Sequence, residues 1–258
     1  MELKGRAALV TGGGTGVGRA TALALAARGC AVAVNYSRSQ EQAEATAEEA
    51  RAQGVAAIAI RADVAEDAAC RALVEQTVGE LGRLDVLVNN AGTTTFAAHS
   101  ELDKITDADW DRIMGVNLKG PFQCARAAKE ALQADGGGEI VNVSSVAGVA
   151  GVGSSIPYCA SKAGLNILTV ILARVMGPSV RVNAVAPGFI TGRWLRDGLG
   201  EPVYEAVKGA MEQRSPLGRV CDPEDVRDAI LSLLEGSDLV TGQVLLCDGG
   251  RSVGISTY

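Results

Sequence analysis

The stretch AALVTGGGTGVG, residues 7–18, decides the fold of this chain. Its four apolar residues, 7–10, are typical of a buried parallel strand, because such strands carry continuous apolar runs. The glycines at 12–14, 16 and 18 permit positive φ angles and close backbone approach in the turn that follows. An Ala- and Leu-rich stretch, 18–28, then predicts a helix closed by Gly29.

Strand-like and helix-like segments alternate along the rest of the chain. Apolar runs predict strands at 31–35, 56–60, 84–88, 139–144, 180–186 and 243–246, and Ala- or Glu-rich stretches predict helices at 40–53, 66–81, 108–134 (one helix or two abutting ones), 155–176 and 222–234. Such alternation implies right-handed crossovers. We therefore predict an α/β fold, a single-domain Rossmann-type doubly wound parallel sheet over 1–258, with about seven strands and helices on both faces. The irregular stretch 188–219 is predicted to form a substrate lid.

Composition excludes several classes of protein. The 258 residues are 47% hydrophobic and carry a net charge of -6, which argues against nucleic acid or an anionic membrane as a partner. The six cysteines are far apart and His99 is the single histidine, so no metal site is predicted. The N-terminus does not resemble a signal peptide, and the longest apolar runs fall short of a membrane span. We expect a soluble cytoplasmic protein.

The glycine turn has the composition of a phosphate-binding loop. A helix N-terminus offers free N–H groups and a positive dipole end to a pyrophosphate, and the strand–turn–helix context predicts dinucleotide binding. NAD sites usually carry an acid at the end of the second strand, where this chain has Asn35-Tyr36-Ser37-Arg38. Arg38 can bind a 2′-phosphate bidentately, with the Ser37 hydroxyl beside it. NADP(H) is therefore favoured over NAD(H), although Arg38 could be only a surface charge at a helix start.

The second chemical signature is SVAGVAGVGSSIPYCASK, residues 145–162. Tyr158 and Lys162 lie on one face if this segment is helical, because positions i and i+4 are neighbours there. A lysine ammonium beside the phenol would lower the tyrosine pKa and make it usable as a general acid or base. The same spacing is also common among surface neighbours. The hydroxyl of Ser145 can join the phenol if the strand end faces the helix.

Taken in order, these pieces resemble the short-chain dehydrogenase/reductase family of the compact single-domain type. The matching segments are TGGGTGVG (11–18), Asp63-Val64, NNAG (89–92), Asn117, Ser145, YCASK (158–162) and Pro187-Gly188 with Thr191. Their order and separations fit the family from Thr11 to the CDGG at 247–250. The resemblance implies an enzyme that interconverts a ketone and a secondary alcohol by hydride transfer with a nicotinamide cofactor.

The resemblance also implies which residues contact that cofactor. The pyrophosphate turn would comprise Gly12, Thr15, Gly16, Val17 and Gly18. Asp63 would bond the adenine amino group, Val64 would pack beside the ring, and the backbone of Asn90, Ala91 and Gly92 would line the adenosine ribose side. Contacts at the nicotinamide end would come from Tyr158, Lys162, Pro187, Gly188 and Thr191.

Four residues would carry the reaction. Ser145 and Tyr158 would stabilise the carbonyl oxygen, and Tyr158 would deliver the proton. Lys162 would hold the nicotinamide ribose and lower the phenol pKa, while Asn117 would hold a water that joins Lys162 to solvent. Ser144 could be the active hydroxyl instead, but the family places that serine thirteen residues before the tyrosine. Asn117 could be only a buried polar group at a helix kink.

The motifs NYSRS (35–39), PGFIT (187–191) and CDGG look most like 3-oxoacyl-thioester reductases of fatty-acid synthesis. Thr15 stands where such enzymes often carry arginine, and the stretch 133–139 is acidic. Alternatives are an NAD-dependent sugar or secondary-alcohol dehydrogenase and a non-catalytic NAD(P)-binding sensor. The lid residues Phe189, Trp194, Leu195, Leu199, Val203 and Tyr204 would form an apolar or aromatic wall, or anchor the lid to its own core.

We expect a small carbonyl or alcohol substrate and a homotetramer or homodimer that pairs through helices 108–134 and 155–176, with 242–258 as a second surface.

Overall fold

A computed structural model describes residues 1–254 of the chain. Seven parallel strands form one sheet in the order β3-β2-β1-β4-β5-β6-β7. Their bounds are Ala7–Val10 (β1), Ala31–Tyr36 (β2), Ala57–Arg61 (β3), Val86–Asn89 (β4), Gly138–Val143 (β5), Val180–Pro187 (β6) and Val244–Cys247 (β7). The predicted doubly wound parallel sheet is confirmed, and its strand order reverses between β1 and β4, where such sheets bind ligands.

Helices cover both faces of the sheet. They are Gly16–Ala26 (α1), Gln40–Arg51 (α2), Asp67–Leu81 (α3), Asp107–Met114 (α4), Gly120–Gln133 (α5), Ala147–Ala150 (α6), Ile156–Met176 (α7), Arg193–Leu199 (α8), Glu201–Gln213 (α9) and Pro223–Glu235 (α10), with 3₁₀ turns at Leu102–Lys104 and Arg251–Val253. Side chains of β1 alternate between the two cores. Ala8 and Val10 pack with α1, α2 and α10, whereas Leu9 packs with α3, α5 and α7.

Most predicted boundaries lie within two residues of those in the structure. The predicted helix 108–134 is one run in which a π-helical turn, Gly115–Lys119, joins α4 to α5. Asp222 caps α10 through a reciprocal pair with Asp225. The predicted closure of α1 at Gly29 is two residues late, because Ala27 is the C-cap and Gly29, with a φ of 76°, turns the chain into β2.

Two expectations about the chain were wrong. The stretch 188–219 is not irregular, because it contains two helices: Gly192 precedes α8 and Gly200 separates α8 from α9, while Gly198 and Gly209 lie inside these helices. A helix long and apolar enough to cross a membrane does exist, since α7 meets that test by length and composition. Half of its apolar window is buried inside the fold, where Leu165, Leu172 and Met176 pack in the cores. The apolar composition of α7 therefore reflects its position as a core helix.

Candidate active site

The glycine turn leaves the first turn of α1 open. Gly12 and Gly16 have φ angles of 61° and 51°, a region that favours glycine. No atom lies within 4 Å of a Cβ built on Gly16, and the N-cap Thr15 makes no side-chain cap hydrogen bond. Val17 is buried, so it can offer only its backbone. These free N–H groups and the open space fit a pyrophosphate.

The turn is fixed to the neighbouring strand ends by two polar side chains. Thr11 Oγ1 accepts hydrogen bonds from the backbone N–H groups of Asn90 (2.9 Å) and Ala91 (3.0 Å). Asn90 Nδ2 donates to the carbonyls of Thr11 (2.9 Å) and Gly12 (3.1 Å). A Cβ on Gly18 would lie 2.3 Å from the Gly12 carbonyl oxygen, so that glycine is required for the same close packing.

A cavity of about 430 Å³ lies at the ends of β2 and β3. It is lined by Ser37, Arg38, Arg61, Ala62, Asp63 and Ala69. Ser37, Arg38 and Asp63 were predicted from the sequence, but Arg61 was not. Arg61 is the last residue of β3 and lies in register with Tyr36 of β2. The available signal was a basic residue at the end of a strand two positions before Asp63. The cavity therefore presents two guanidinium groups.

Asp63 and Val64, which were predicted to contact the adenine, both make contacts within the protein. Asp63 Oδ2 accepts a hydrogen bond from Arg112 Nη1 at 3.3 Å, and its Oδ1 accepts one from Ala65 N at 3.1 Å. The Val64 side chain is buried, and a Cβ built on Gly120 would lie 3.0 Å from it. Val64 thus packs towards α5, which supports the cavity wall from behind.

Ser145 and Tyr158 come together where β5 ends and α7 begins. Ser145 Oγ accepts a hydrogen bond from Ala147 N at 3.1 Å. Burial raises the pKa of Tyr158 to about 12, and the Ser145 hydroxyl beside the phenol partly offsets that rise. Ser144 has other partners, because its hydroxyl donates to Asn166 Oδ1 at 2.6 Å. The geometry therefore brings Ser145 to the phenol and directs Ser144 away.

Lys162 lies one turn along α7 from Tyr158 and is almost completely buried. Its Nζ donates a hydrogen bond to the Val143 carbonyl at 2.8 Å and lies 5.7 Å from the centre of the Tyr158 ring. Burial lowers the pKa of Lys162 to about 8. The phenol pKa was predicted to be lowered beside Lys162 and is raised instead, because the desolvation of Tyr158 outweighs the lowering by the Ser145 hydroxyl.

Asn117 lies in the π-helical turn between α4 and α5, fully buried. Its Oδ1 accepts from Thr93 N at 2.8 Å, and its Nδ2 donates to Thr93 O at 2.9 Å and to Ser161 Oγ at 3.1 Å. The side chain therefore ties the loop after β4 to α7. A Cβ built on Gly92 would lie 3.7 Å from Asn117 Oδ1 and 4.0 Å from Lys162 Nζ, so the three residues converge on one space.

The predicted nicotinamide contacts lie beside Ser145. The Pro187 carbonyl at the end of β6 accepts a hydrogen bond from Val146 N at 3.0 Å. Gly188 N donates to Cys247 O at 2.9 Å, and Thr191 N donates to Cys221 O at 2.8 Å. These bonds hold the chain from β6 to α8 against the ends of β5 and β7.

The lid residues divide between the two predicted roles. Trp194 of α8 meets Tyr158 edge to face, with 6.2 Å between ring centres and 63° between planes. Phe189 instead packs on Tyr204, 5.4 Å between ring centres, and Tyr204 is fully buried. Trp194 therefore forms part of the wall at the phenol, whereas Phe189 and Tyr204 anchor the lid.

Comparison with known sequences agrees with this geometry. The family model described as enoyl-(acyl carrier protein) reductase matches residues 12–252. A Streptomyces violaceoruber protein named as ketoacyl reductase 2 of the granaticin polyketide synthase is 47% identical over 195 residues, 75% of this chain and 76% of that protein. The 3-oxoacyl-(acyl-carrier-protein) reductase FabG of Thermotoga maritima is 42% identical over 180 residues, 69% of this chain and 70% of that protein.

Solved structures show the same likeness over nearly the whole chain. A short-chain dehydrogenase/reductase from Burkholderia xenovorans superposes with a TM-score of 0.88 at 35% identity, covering 96% of this chain and 98% of that one. An NAD⁺-bound xylitol dehydrogenase superposes with a TM-score of 0.88 at 29% identity, covering 97% and 100%. The chain belongs to the short-chain dehydrogenase/reductase family, whose members are oxidoreductases acting on CH–OH and C=O groups with nicotinamide cofactors.

Proposed function

We propose that this protein is an NADP(H)-dependent oxidoreductase that interconverts a ketone and a secondary alcohol by hydride transfer, with a 3-oxoacyl thioester as its candidate substrate. The observation that carries the proposal is the meeting of the Ser145 hydroxyl and the Tyr158 phenol beside the chain that follows β6. Two hydroxyl donors at one point suit a carbonyl oxygen on which negative charge develops.

The reaction needs a hydride, which the nicotinamide supplies when bound. Ser145 and Tyr158 donate hydrogen bonds to the substrate oxygen, and Tyr158 transfers its proton as the alcohol forms. Burial holds the pKa of Tyr158 at about 12, so the phenol is protonated near neutral pH. A protonated phenol is the form that reduction requires, whereas oxidation requires a neighbouring positive charge to favour the phenolate.

Lys162 and Asn117 support the proton donor. The Lys162 ammonium has three hydrogens and donates one of them to Val143 O, so others can bind ribose hydroxyls. Asn117 is proposed to hold the relay water through a group other than its side-chain Nδ2, both of whose hydrogens are donated to Thr93 and Ser161. The same amide positions the loop that carries Gly92.

Each cofactor contact predicted from the sequence is proposed from the position of its residue in the fold. The open first turn of α1 would hold the pyrophosphate through Gly12, Thr15, Gly16, Val17 and Gly18. The cavity lined by Arg38 and Arg61 would take a 2′-phosphate, since guanidinium groups bind phosphate bidentately. Asp63 and the Asn90–Gly92 backbone would face the adenosine, and Pro187, Gly188 and Thr191 would face the carboxamide.

The relatives support two different substrates. The ketoacyl and 3-oxoacyl reductases, at 47% and 42% identity, favour a thioester ketone. An NAD-dependent sugar or secondary-alcohol dehydrogenase is the second candidate, favoured by the superposition with xylitol dehydrogenase. A non-catalytic sensor is the weakest candidate, because every predicted catalytic side chain is present.

Self-association is proposed through the surface of α5 and α7. A groove of about 680 Å³ runs between α7 and the end of α4, the π-helical turn and the start of α5, and it is lined by Asp111, Met114, Gly115, Leu118, Lys119, Phe122, Gly164, Ile167, Leu168 and Ile171. Ile167 is 62% exposed, which is unusual for so apolar a residue on a helix, and Phe122 and Ile171 are also exposed. A homotetramer or homodimer would cover this groove. The second predicted surface, 242–258, lies partly outside the described residues.

A cytoplasmic location is also proposed. All six cysteines are free thiols, and the Cys124 thiol donates a hydrogen bond to Cys70 Sγ at 3.6 Å. Such a pair persists in a reducing compartment.

The experiment is a substrate panel assayed with NADP(H) and NAD(H) in parallel. We expect an acetoacetyl thioester and simple ketones to be reduced with NADPH, and Tyr158→Phe to lose turnover while still binding cofactor. Preferential oxidation of xylitol or another polyol with NAD⁺ would favour the second candidate. The sensor would be favoured if wild type and Tyr158→Phe both bind cofactor and neither turns over any member of the panel.

A further inference from the structure

Helix α8 presents one face to the cleft above the phenol. Trp194 and Gly198 are one turn apart, so they lie on the same face of the helix. Trp194 meets Tyr158 edge to face. A Cβ built on Gly198 would lie 2.0 Å from Cε2 of Phe96, which belongs to the loop after β4. The helix thus bridges from α7 to the opposite loop, with its tryptophan next to the proton donor.

The charged side chains of α8 are paired within the lid. Arg193 Nε lies 3.8 Å from Asp197 Oδ2. Arg196 lies 3.4 Å from Glu201 and 3.7 Å from Glu205, and its guanidinium also stacks over Tyr204. The cations of this helix are therefore committed to other partners, and the residues that face the phenol are uncharged.

The other flank of the phenol is also apolar. A Cβ built on Gly153 would lie 3.3 Å from Tyr158 Cδ1 and 3.0 Å from Cys159 Sγ, so the segment 147–153 runs along that side of the ring. Val149 and Val152 in this segment are 56% and 55% exposed. Trp194 is 49% exposed, which leaves half of its indole free to contact a ligand.

We propose that Trp194 is a specificity-determining residue whose exposed indole packs against a flat ring next to the reacting carbonyl, so that the preferred substrates are neutral ketones bearing an aromatic or other flat ring. The inference rests on the proposed function, because a carbonyl bound to Ser145 and Tyr158 places its substituents beside Trp194. Aromatic rings are favoured there because edge-to-face and offset stacking add to the burial of apolar surface. A 3-oxoacyl thioester with a ring on its 3-oxo end satisfies both statements.

The first test is binding, which needs no turnover. The chain has two tryptophans, Trp110 and Trp194, so Trp110→Phe leaves Trp194 as the single indole reporter. Propiophenone is titrated into this variant in the presence of saturating NADP⁺. Because NADP⁺ has no hydride to give, the ketone is not reduced and the titration reports binding alone. We expect saturable quenching of Trp194 fluorescence, and none from Trp110 in the Trp194→Phe variant. Equal quenching in both variants, or no saturable quenching in either, would overturn the proposal.

The second test is selectivity between ketones of similar size. We expect Trp194→Ala to lower kcat/KM for propiophenone about ten-fold relative to cyclohexyl ethyl ketone, mostly through KM, and Trp194→Phe to restore most of the preference. Trp110→Ala is the matched control, with an unchanged ratio and NADPH affinity. If the enzyme reduces ketones but Trp194→Ala leaves the ratio of kcat/KM for the two ketones unchanged, the role of Trp194 is contradicted and the proposed function is not. Absence of ketone reduction in wild type contradicts the proposed function instead.

Discussion

The Lys162 ammonium donates a hydrogen bond to the Val143 carbonyl at 2.8 Å, which fixes a buried cation of α7 to the end of β5. Burial lowers the pKa of this lysine to about 8 from its usual 10.5. No carboxylate contributes to that shift, so the charge is held by desolvated protein alone. A buried cation held at such a cost is a candidate for a functional role, which we propose for Lys162.

Replacing this lysine by methionine is expected to stabilise the fold while abolishing turnover. The shift from 10.5 to about 8 corresponds to roughly 3 kcal/mol lost from the free energy of unfolding near pH 7. Leaving the Val143 carbonyl unpaired costs about 1–2 kcal/mol. Lys162→Met should therefore raise Tm by about 2–8 °C at pH 7, measured by calorimetry without cofactor.

The pH dependence fixes the sign of this effect. The folded-state pKa is depressed, so the unfolded chain binds more protons between pH 8 and 10.5 and the wild type gains stability as pH rises through that range. The advantage of Lys162→Met should shrink accordingly above pH 8. Lys129→Met, at an exposed position of α5, should show neither change. A Lys162→Met protein less stable than wild type across the whole range would refute the explanation.

The two arginines of the β2–β3 cavity are expected to act together on one phosphate. Arg38→Ala and Arg61→Ala should each weaken 2′,5′-ADP binding about ten-fold by calorimetry, because each removes a charge-assisted contact. Binding of 5′-AMP, which lacks the 2′-phosphate, should change little. Arg174→Ala removes an exposed arginine near the far end of α7 and serves as the control. Equal losses for both nucleotides would show that the arginines do not recognise the 2′-phosphate.

The contact between Gly198 and Phe96 is expected to set the position of the lid. Gly198→Ala places a methyl group 2.0 Å from the Phe96 ring, so the ring or α8 must move. We expect a higher KM for substrate and faster proteolysis within 193–213, with NADPH binding unchanged.

Two further variants isolate that contact. Phe96→Ala combined with Gly198→Ala should recover much of the lost KM, since the clash disappears and the pair is non-additive. Gly209→Ala in α9 has open space around its Cβ and should be neutral or stabilising by up to about 1 kcal/mol. Additive effects in the double variant would argue that the clash is not the cause.

The groove between α7 and the run from α4 through the π-helical turn to α5 is expected to be covered by another copy of the chain. Ile167→Glu puts a charge into it and should shift the mass seen by light scattering towards the monomer at micromolar concentration. Leu239→Glu, at a 94% exposed position, should leave the mass unchanged. An unchanged mass for Ile167→Glu would place the interface elsewhere or exclude it.

The sequence was sufficient for the sheet because its signals are local. Apolar runs such as 7–10 and 31–35 end at glycine or polar turns, and their alternation with helices leaves one architecture. The order of the strands was not predicted, because right-handed crossovers alone leave several orders open. The helices of the lid were missed because glycine and proline interrupt the stretch: Gly198 lies inside the seven-residue α8, and Gly200 and Pro202 lie at the start of the 13-residue α9. Trp194 and Gly198 face Tyr158 and Phe96, which are distant in sequence, so these contacts could not be predicted.

The site shows the same division between local and long-range information. Tyr158 and Lys162 are one helical turn apart, so their shared face could be predicted, but the pKa of Tyr158 could not, because it depends on burial by other elements. Arg61 was missed since its proximity to Arg38 arises from the register of β2 with β3. Asn117 likewise bonds to Thr93 and to Ser161, which lie in two separate parts of the chain.

The most direct test of the account is a single-turnover reaction of the NADPH-loaded protein with a ketone, followed by loss of NADPH fluorescence. Wild type should consume the bound NADPH, and Tyr158→Phe should bind NADPH equally well but react at least about 100-fold more slowly, because it lacks the proton donor. A Tyr158→Phe protein that oxidises NADPH at the wild-type rate would contradict the assignment of Tyr158 as the proton donor.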